Sequence, residues 1–112
     1  MPLPIKFTLG AERDLFSIYD YIAEHDSPQK ADQLLDHLQK LINSLSENPE
    51  RRTFPKELLQ LGIREYRQVY FKPYRVIYRA LQSQILSYLI VDGRRDMQSL
   101  LERRLLVQWK TE

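Results

Sequence analysis

The stretch Ile63-Arg64-Glu65-Tyr66-Arg67-Gln68-Val69-Tyr70-Phe71, the turn Lys72-Pro73, Tyr74-Arg75-Val76-Ile77-Tyr78-Arg79-Ala80-Leu81, and then Ile85-Leu86-Ser87-Tyr88-Leu89-Ile90-Val91 decides the fold. Each run is short, rich in β-branched and aromatic residues, and bounded by Gly62, by Pro73, by Gln82-Ser83-Gln84 and by Asp92-Gly93. Three such runs at this spacing predict an antiparallel meander. The third run is apolar at both odd and even positions, which predicts a central strand covered on both faces. Alternation places Tyr74, Val76, Tyr78 and Ala80 on one face of the second strand and Arg75, Ile77 and Arg79 on the other. In the first strand Arg64, Tyr66, Gln68 and Tyr70 share a face, opposite Glu65, Arg67 and Val69.

Upstream of the meander the period changes from two to 3.6. Ile5-Lys6-Phe7-Thr8 predicts a short opening strand, with Thr8 as the N-cap of a helix of roughly four turns. Ala11, Leu15, Ile18, Tyr19 and Ile22 form its buried stripe, and Glu12 and Asp14 lie in its early turns, where the helix dipole favours negative charge. Ser27-Pro28, a hydroxyl N-cap followed by proline, starts a second helix carrying Ala31, Leu34, Leu35, Leu38, Leu41, Ile42 and Leu45 on one face. That helix must end before Asn48-Pro49. The segment from Glu50 to Leu61 predicts a loop with one helical turn at 56–60. Downstream, Asp96 caps a last helix with Met97, Leu100, Leu101 and Leu105 inward and Glu102, Arg103 and Arg104 outward, and Trp109 pins the tail. The order is β-α-α-β-β-β-α, an α+β fold in one domain over residues 1–112.

At 112 residues, 43% hydrophobic and 29% charged, the chain is long enough to bury a core without disulfides or metals. It has no cysteine, which excludes disulfides, thiolate zinc sites and thiol nucleophiles, and favours a reducing compartment. No run approaches a membrane span, and no signal peptide is visible at Met1-Pro2-Leu3-Pro4-Ile5. His25 and His37 are twelve residues apart with no second ligand at metal-binding spacing, so they are expected to be ordinary surface histidines and no metal or other cofactor is implied. Gly10, Gly62 and Gly93 are too scattered for a phosphate-binding loop. The charge is segregated: through Glu50 four Lys/Arg face nine Asp/Glu, a net −5, while from Arg51 onward thirteen face six, a net +7. Such a split suggests a surface that meets an anionic partner.

Arginines on strands are the remaining carriers of chemistry. Gathered on one sheet face they could grip phosphate or carboxylate through bidentate contacts; alternatively they pair with Glu65, Asp92 and Asp96 in ordinary ion networks. Ion networks are the expectation for Arg79, Arg103 and Arg104, and function is the expectation for Arg75 and Arg95. Arg75 is expected to cover apolar surface with its stem while its guanidinium stays wet, so that truncation would leave the melting temperature nearly unchanged.

Leu15-Phe16-Ser17-Ile18-Tyr19-Asp20-Tyr21-Ile22-Ala23, Gly62-Ile63-Arg64-Glu65, Tyr74-Arg75-Val76-Ile77-Tyr78-Arg79 and Asp92-Gly93-Arg94-Arg95-Asp96 occur in this order along nearly the whole chain. Together they resemble the ParE branch of the RelE/ParE toxin superfamily. The resemblance implies a twisted antiparallel sheet packed on a helical hairpin, in a cytoplasmic toxin of a type II toxin–antitoxin system of the plasmid-stabilisation kind. It implies a cognate antitoxin as partner, contact with operator DNA only through that antitoxin, and no membrane partner.

Two activities follow from the superfamily: ParE-like inhibition of DNA gyrase, and RelE-like cleavage of mRNA on the ribosome. For the nuclease, the matching residues are Arg67, Arg75 and Arg95, but Glu65 stands near where a second lysine is expected. The terminal Tyr/His position falls at about Leu101, which cannot transfer a proton. Gyrase inhibition is therefore the expected activity, with Arg64, Arg67, Arg75, Arg94 and Arg95 as the functional basic surface. A degenerate toxin fold kept as an inert binding module would have much the same sequence.

Overall fold

The computed structural model describes residues 3–106. Trp109 lies outside the described residues. The chain runs β1 (Ile5–Phe7), α1 (Leu9–His25), α2 (Pro28–Ser44), a 3-10 turn at Pro49–Arg51, α3 (Lys56–Leu59), β2 (Arg67–Phe71), β3 (Tyr74–Ala80), β4 (Ile85–Asp92) and α4 (Met97–Leu101). A wider π-type turn over Glu102–Leu106 continues α4.

The helix starts follow local chemistry. Thr8 accepts the Ala11 amide at 3.1 Å, Ser27 accepts the Lys30 amide at 3.1 Å, and Asp96 accepts the Ser99 amide at 3.2 Å. Each side chain satisfies one of the donors that a helix N-terminus leaves open. Gly62 ends α3 with φ +78°, a conformation that costs glycine nothing. There Gly62 donates to the Leu59 carbonyl and Ile63 to that of Leu58, so the backbone amide at Ile63 turns back to α3. This is why β2 begins at Arg67 and not at Ile63 as the residue pattern predicts.

The sheet order is β1-β4-β3-β2. β2, β3 and β4 form the antiparallel meander, with Tyr70 opposite Arg75 and Val76 opposite Ile90. β1, however, pairs parallel to β4, with Ile5 opposite Ile85. The sheet is thus mixed and not purely antiparallel, because the α1–α2 hairpin and the meander together return the chain alongside β1 in the same direction. β4 is internal, as its double-sided apolar pattern requires.

One irregularity lets β4 serve both faces. Across from it Ile77 pairs with Leu89 but Tyr78 pairs with Ser87, leaving Tyr88 as an extra bulged residue. The bulge switches parity, so Ile85 packs with the hairpin-side core while Leu89 packs with the opposite one. The hairpin-side core joins Ile42 and Leu45 of the α2 end to Val69, Val76, Tyr78, Ile85 and Ile90. The second core joins Leu58 of α3 and Met97, Leu100, Leu101 and Leu105 of the C-terminal helix to Tyr66, Ile77, Leu89 and Val91. The sheet therefore has helices on both faces, and the face carrying Arg75 is covered.

Candidate functional site

That cover corrects the expectation for Arg75. Its side chain is only 4% exposed. Nη1 and Nη2 donate to Glu57 Oε2 and Oε1, each at 2.9 Å, and Nε donates to Gln68 Oε1 at 3.0 Å. A planar guanidinium meeting a carboxylate fork-on-fork is the strong form of this contact. Burial opposes the arginine's charge, but the Glu57 hydrogen bond and charge raise its pKa above the ordinary value. The same bond from Arg75 holds Glu57 below the usual carboxylate range. A Cβ on Gly93 would lie 2.7 Å from Arg75 Cδ, so the glycine after β4 leaves the space through which this side chain passes. Arg75 is a clamp between β3, β2 and α3, with no wet guanidinium.

The other predicted arginines lie apart from it. Arg67 pairs across from Tyr78 on the hairpin side, sits 4.3 Å over the Phe54 ring and donates to the Arg52 carbonyl at 2.7 Å. Arg64 is exposed in the link between α3 and β2. Arg94 is exposed and forked on Asp92, with Nε to Oδ1 at 2.9 Å. This partner holds Asp92 at a pKa of about 2. Arg95 is exposed beside them; its amide donates to the Asp92 carbonyl at 3.2 Å, while its side chain makes no hydrogen bond or ion pair among the described residues. The five arginines expected to form one basic surface are thus divided between a buried clamp, a hairpin-side corner, a loop and the exit of β4.

The exit of β4 borders a concave site. A groove of about 650 Å³ runs between α1 and the ends of β3 and β4, lined by Ser17, Ile18, Tyr21 and Ile22 on one wall and Tyr74, Ile90, Val91, Asp92, Arg94 and Arg95 on the other. Tyr21 is 61% exposed. Burial and the nearby Asp92 push the Tyr74 hydroxyl's pKa up, so it stays a neutral donor. The groove offers apolar wall, two phenols and the unpaired Arg95, a combination suited to an apolar segment that carries carboxylates.

Asp14, at the groove's inner end, does work that sequence reading assigned to no residue. Its Oδ2 accepts the Ile90 amide at 3.0 Å, just past the bulge where β1 no longer pairs with β4. It also accepts both Arg104 terminal nitrogens at 3.0 and 3.1 Å, and Arg104 donates on to the Tyr88 carbonyl. Arg104 is therefore half-buried and points to α1, not outward. Its ion-network role holds, with a partner ninety residues away in place of the neighbours expected. The signal for Asp14 was its place in the first helical turns, but nothing local names a strand amide as its partner. Glu57 and Gln68 were missed too. The hairpin register around Lys72-Pro73, which sets Tyr70 opposite Arg75 and so places Gln68 diagonal to it, could have pointed to Gln68.

His25 stacks on Tyr21 at 4.2 Å and His37 packs on Phe71 at 5.4 Å. Among the described residues no three His, Cys, Asp or Glu side chains converge as a metal site, and no helix is long and apolar enough to cross a membrane. Leu101 is 1% exposed, inside the second core.

The site thus sits on a mixed four-stranded sheet with a helical hairpin on one face and a short C-terminal helix on the other. A solved structure described as the chromosomal ParDE TA system from P. aeruginosa superposes with a TM-score of 0.69 at 18% identity, covering 80% of this chain and 95% of that one. The family model for the ParE toxin of the type II toxin-antitoxin system parDE matches residues 5–97, and the chain belongs to that family. No curated protein sequence matches it.

Proposed function

We propose that this toxin acts in the cytoplasm by protein–protein contact with DNA gyrase, and that a cognate antitoxin neutralises it by seating an acidic, apolar-anchored segment in the α1–β4 groove. The observation that carries the choice of gyrase over mRNA is the burial of Arg75. Cleavage of RNA by attack of the 2′-hydroxyl needs cations on the phosphate and a group that passes a proton. The strand arginine matched to that role is 4% exposed and already neutralised by Glu57. The position matched to the proton donor is Leu101, which is buried and carries no exchangeable proton on its side chain. The groups lining the groove, exposed Arg94, Arg95 and Tyr21 with half-buried Tyr74, suit a contact surface.

The test is a pair of assays on the purified toxin. Gyrase supercoiling of relaxed plasmid should be inhibited at stoichiometric toxin, and mRNA on translating ribosomes should remain intact. Ribosome-dependent cleavage with supercoiling unaffected would overturn the reading. For the antitoxin part, Arg95→Glu should weaken antitoxin binding without lowering the melting temperature.

A further inference from the structure

Helix α1 has an outer seam that neither core nor groove uses. Leu9, Arg13, Phe16, Asp20 and Ala23 follow one another at intervals of four, three, four and three residues, the spacing that keeps side chains along one line of a helix. Leu9 is 62% exposed and Phe16 is 65% exposed. Arg13 and Asp20 are exposed, and neither side chain makes a hydrogen bond or ion pair among the described residues. Two large apolar side chains in water on a helix whose other sides are packed mark a contact surface.

We propose that this seam is an interface between two copies of the toxin, joined by antiparallel packing of α1 on α1 about a two-fold axis at Phe16. The occupant follows from the order of the residues. Reversing the helix about Phe16 sets Phe16 on its own copy and brings Leu9, seven residues before, against Ala23, seven residues after. The same reversal brings Arg13, three residues before, beside Asp20, four residues after, and does so twice. Apolar groups meet apolar groups and each cation meets an anion, which is the self-complementarity a two-fold interface demands. A parallel pairing would instead stack Arg13 on Arg13 and Asp20 on Asp20, which like charges oppose. The interface is one helix wide, below the size of tight complexes, so the dimer is weak and forms at high local concentration.

Sedimentation velocity of the full chain tests this, run from about 10 μM to about 1 mM, the range in which an interface of this small size associates. The expected result is a reversible monomer–dimer equilibrium that Phe16→Asp shifts to monomer. Arg13→Glu and Asp20→Arg should each weaken dimerisation by about tenfold, since each sets like charges against one another. The double variant Arg13→Glu/Asp20→Arg should recover the wild-type constant to within about threefold, because the pair is restored with its sign exchanged. All three positions are exposed, so melting temperatures should be unchanged and folding is controlled for. A wild type that stays monomeric across this range overturns the proposal. So does a dimer indifferent to these variants, or one in which the double variant is no better than the singles.

Discussion

Arg75 on β3 and Glu57 on α3 face each other fork to fork, with both nitrogen–oxygen distances at 2.9 Å, although eighteen residues separate them. α3 has only four residues and no side-chain N-cap, so local bonding cannot hold it. Its anchors are Leu58 in the second core and this ion pair. The pair thereby fixes the segment that leads into β2.

Removing one partner of a buried pair leaves the other charge stranded, at a cost of about 3–5 kcal/mol. Arg75→Ala is therefore expected to lower the melting temperature by more than about 10 °C at this chain length. Arg75→Lys keeps charge but loses the fork and the Gln68 contact, and should fall between. Differential scanning fluorimetry of the three proteins checks the order. Loss of toxicity in Arg75→Ala would then reflect unfolding, so toxicity must be read on variants that remain folded.

Acid should unfold the protein through the same groups. Glu57 and Asp92 have folded pKa values below their ordinary values, the first lowered chiefly by the Arg75 hydrogen bond and the second held at about 2 chiefly by Arg94. A depressed folded pKa means stability that is complete above the unfolded pKa and is lost as pH falls through the folded one. Urea midpoints should thus stay level down to about pH 5 and fall between there and about pH 2. Glu57→Gln should lower the plateau and flatten this slope, which titrated urea melts of both proteins would reveal.

The two close-packed glycines should respond differently to a methyl group. At Gly10 a Cβ would approach Arg104 Nη2 at 2.5 Å, the tip of a long side chain that can shift by loosening its bonds to Asp14 and Tyr88. At Gly93 it would strike Arg75 Cδ at 2.7 Å and Cγ at 2.9 Å, the middle of a side chain fixed at its tip. Gly93→Ala is expected to cost about 2 kcal/mol through overpacking. Gly10→Ala should lie within about 1 kcal/mol of wild type, since the helix gains from losing a glycine. Chemical denaturation of both variants measures the difference, and Gly93→Ala should cost far less in an Arg75→Ala background.

Asp14 holds the open edge of β4, and its loss should be felt at one amide. Asp14→Ala leaves the Ile90 N–H without its acceptor and the Arg104 guanidinium with only the Tyr88 carbonyl, a penalty of about 1–3 kcal/mol for each unsatisfied group. Hydrogen exchange at Ile90 should accelerate well beyond that at Val76, its neighbour across the ladder. Equal protection loss at both amides would point to general destabilisation instead.

Salt should act on antitoxin capture more than on release. The basic half of the chain and the unpaired Arg95 steer an acidic segment toward the groove, while buried apolar anchors hold it. Stopped-flow association should slow as salt rises, with dissociation nearly constant. An on-rate independent of salt would remove the electrostatic part of the proposed capture.

What the sequence determined by itself was whatever local chemistry controls. Thr8, Ser27 and Asp96 cap their helices because a short polar side chain before an apolar 3.6-residue period has few other uses. β4 is central because a strand apolar on both parities has no face to offer water. The superfamily was legible because helix, strand and Gly93-Arg94-Arg95 exit stand in order. Tertiary structure decided the fate of charges. Whether Arg75 is wet or buried depends on whether α3 folds over its face, and nothing adjacent to Arg75 encodes that. Asp14 and Arg104, ninety residues apart, meet at backbone groups of β4 that lie beyond the end of β1, the Ile90 amide and the Tyr88 carbonyl. Alternation can assign a charged residue to a face; what covers that face is settled by elements far away in the chain, because burial of a charge is tolerable only where a distant partner arrives to neutralise it.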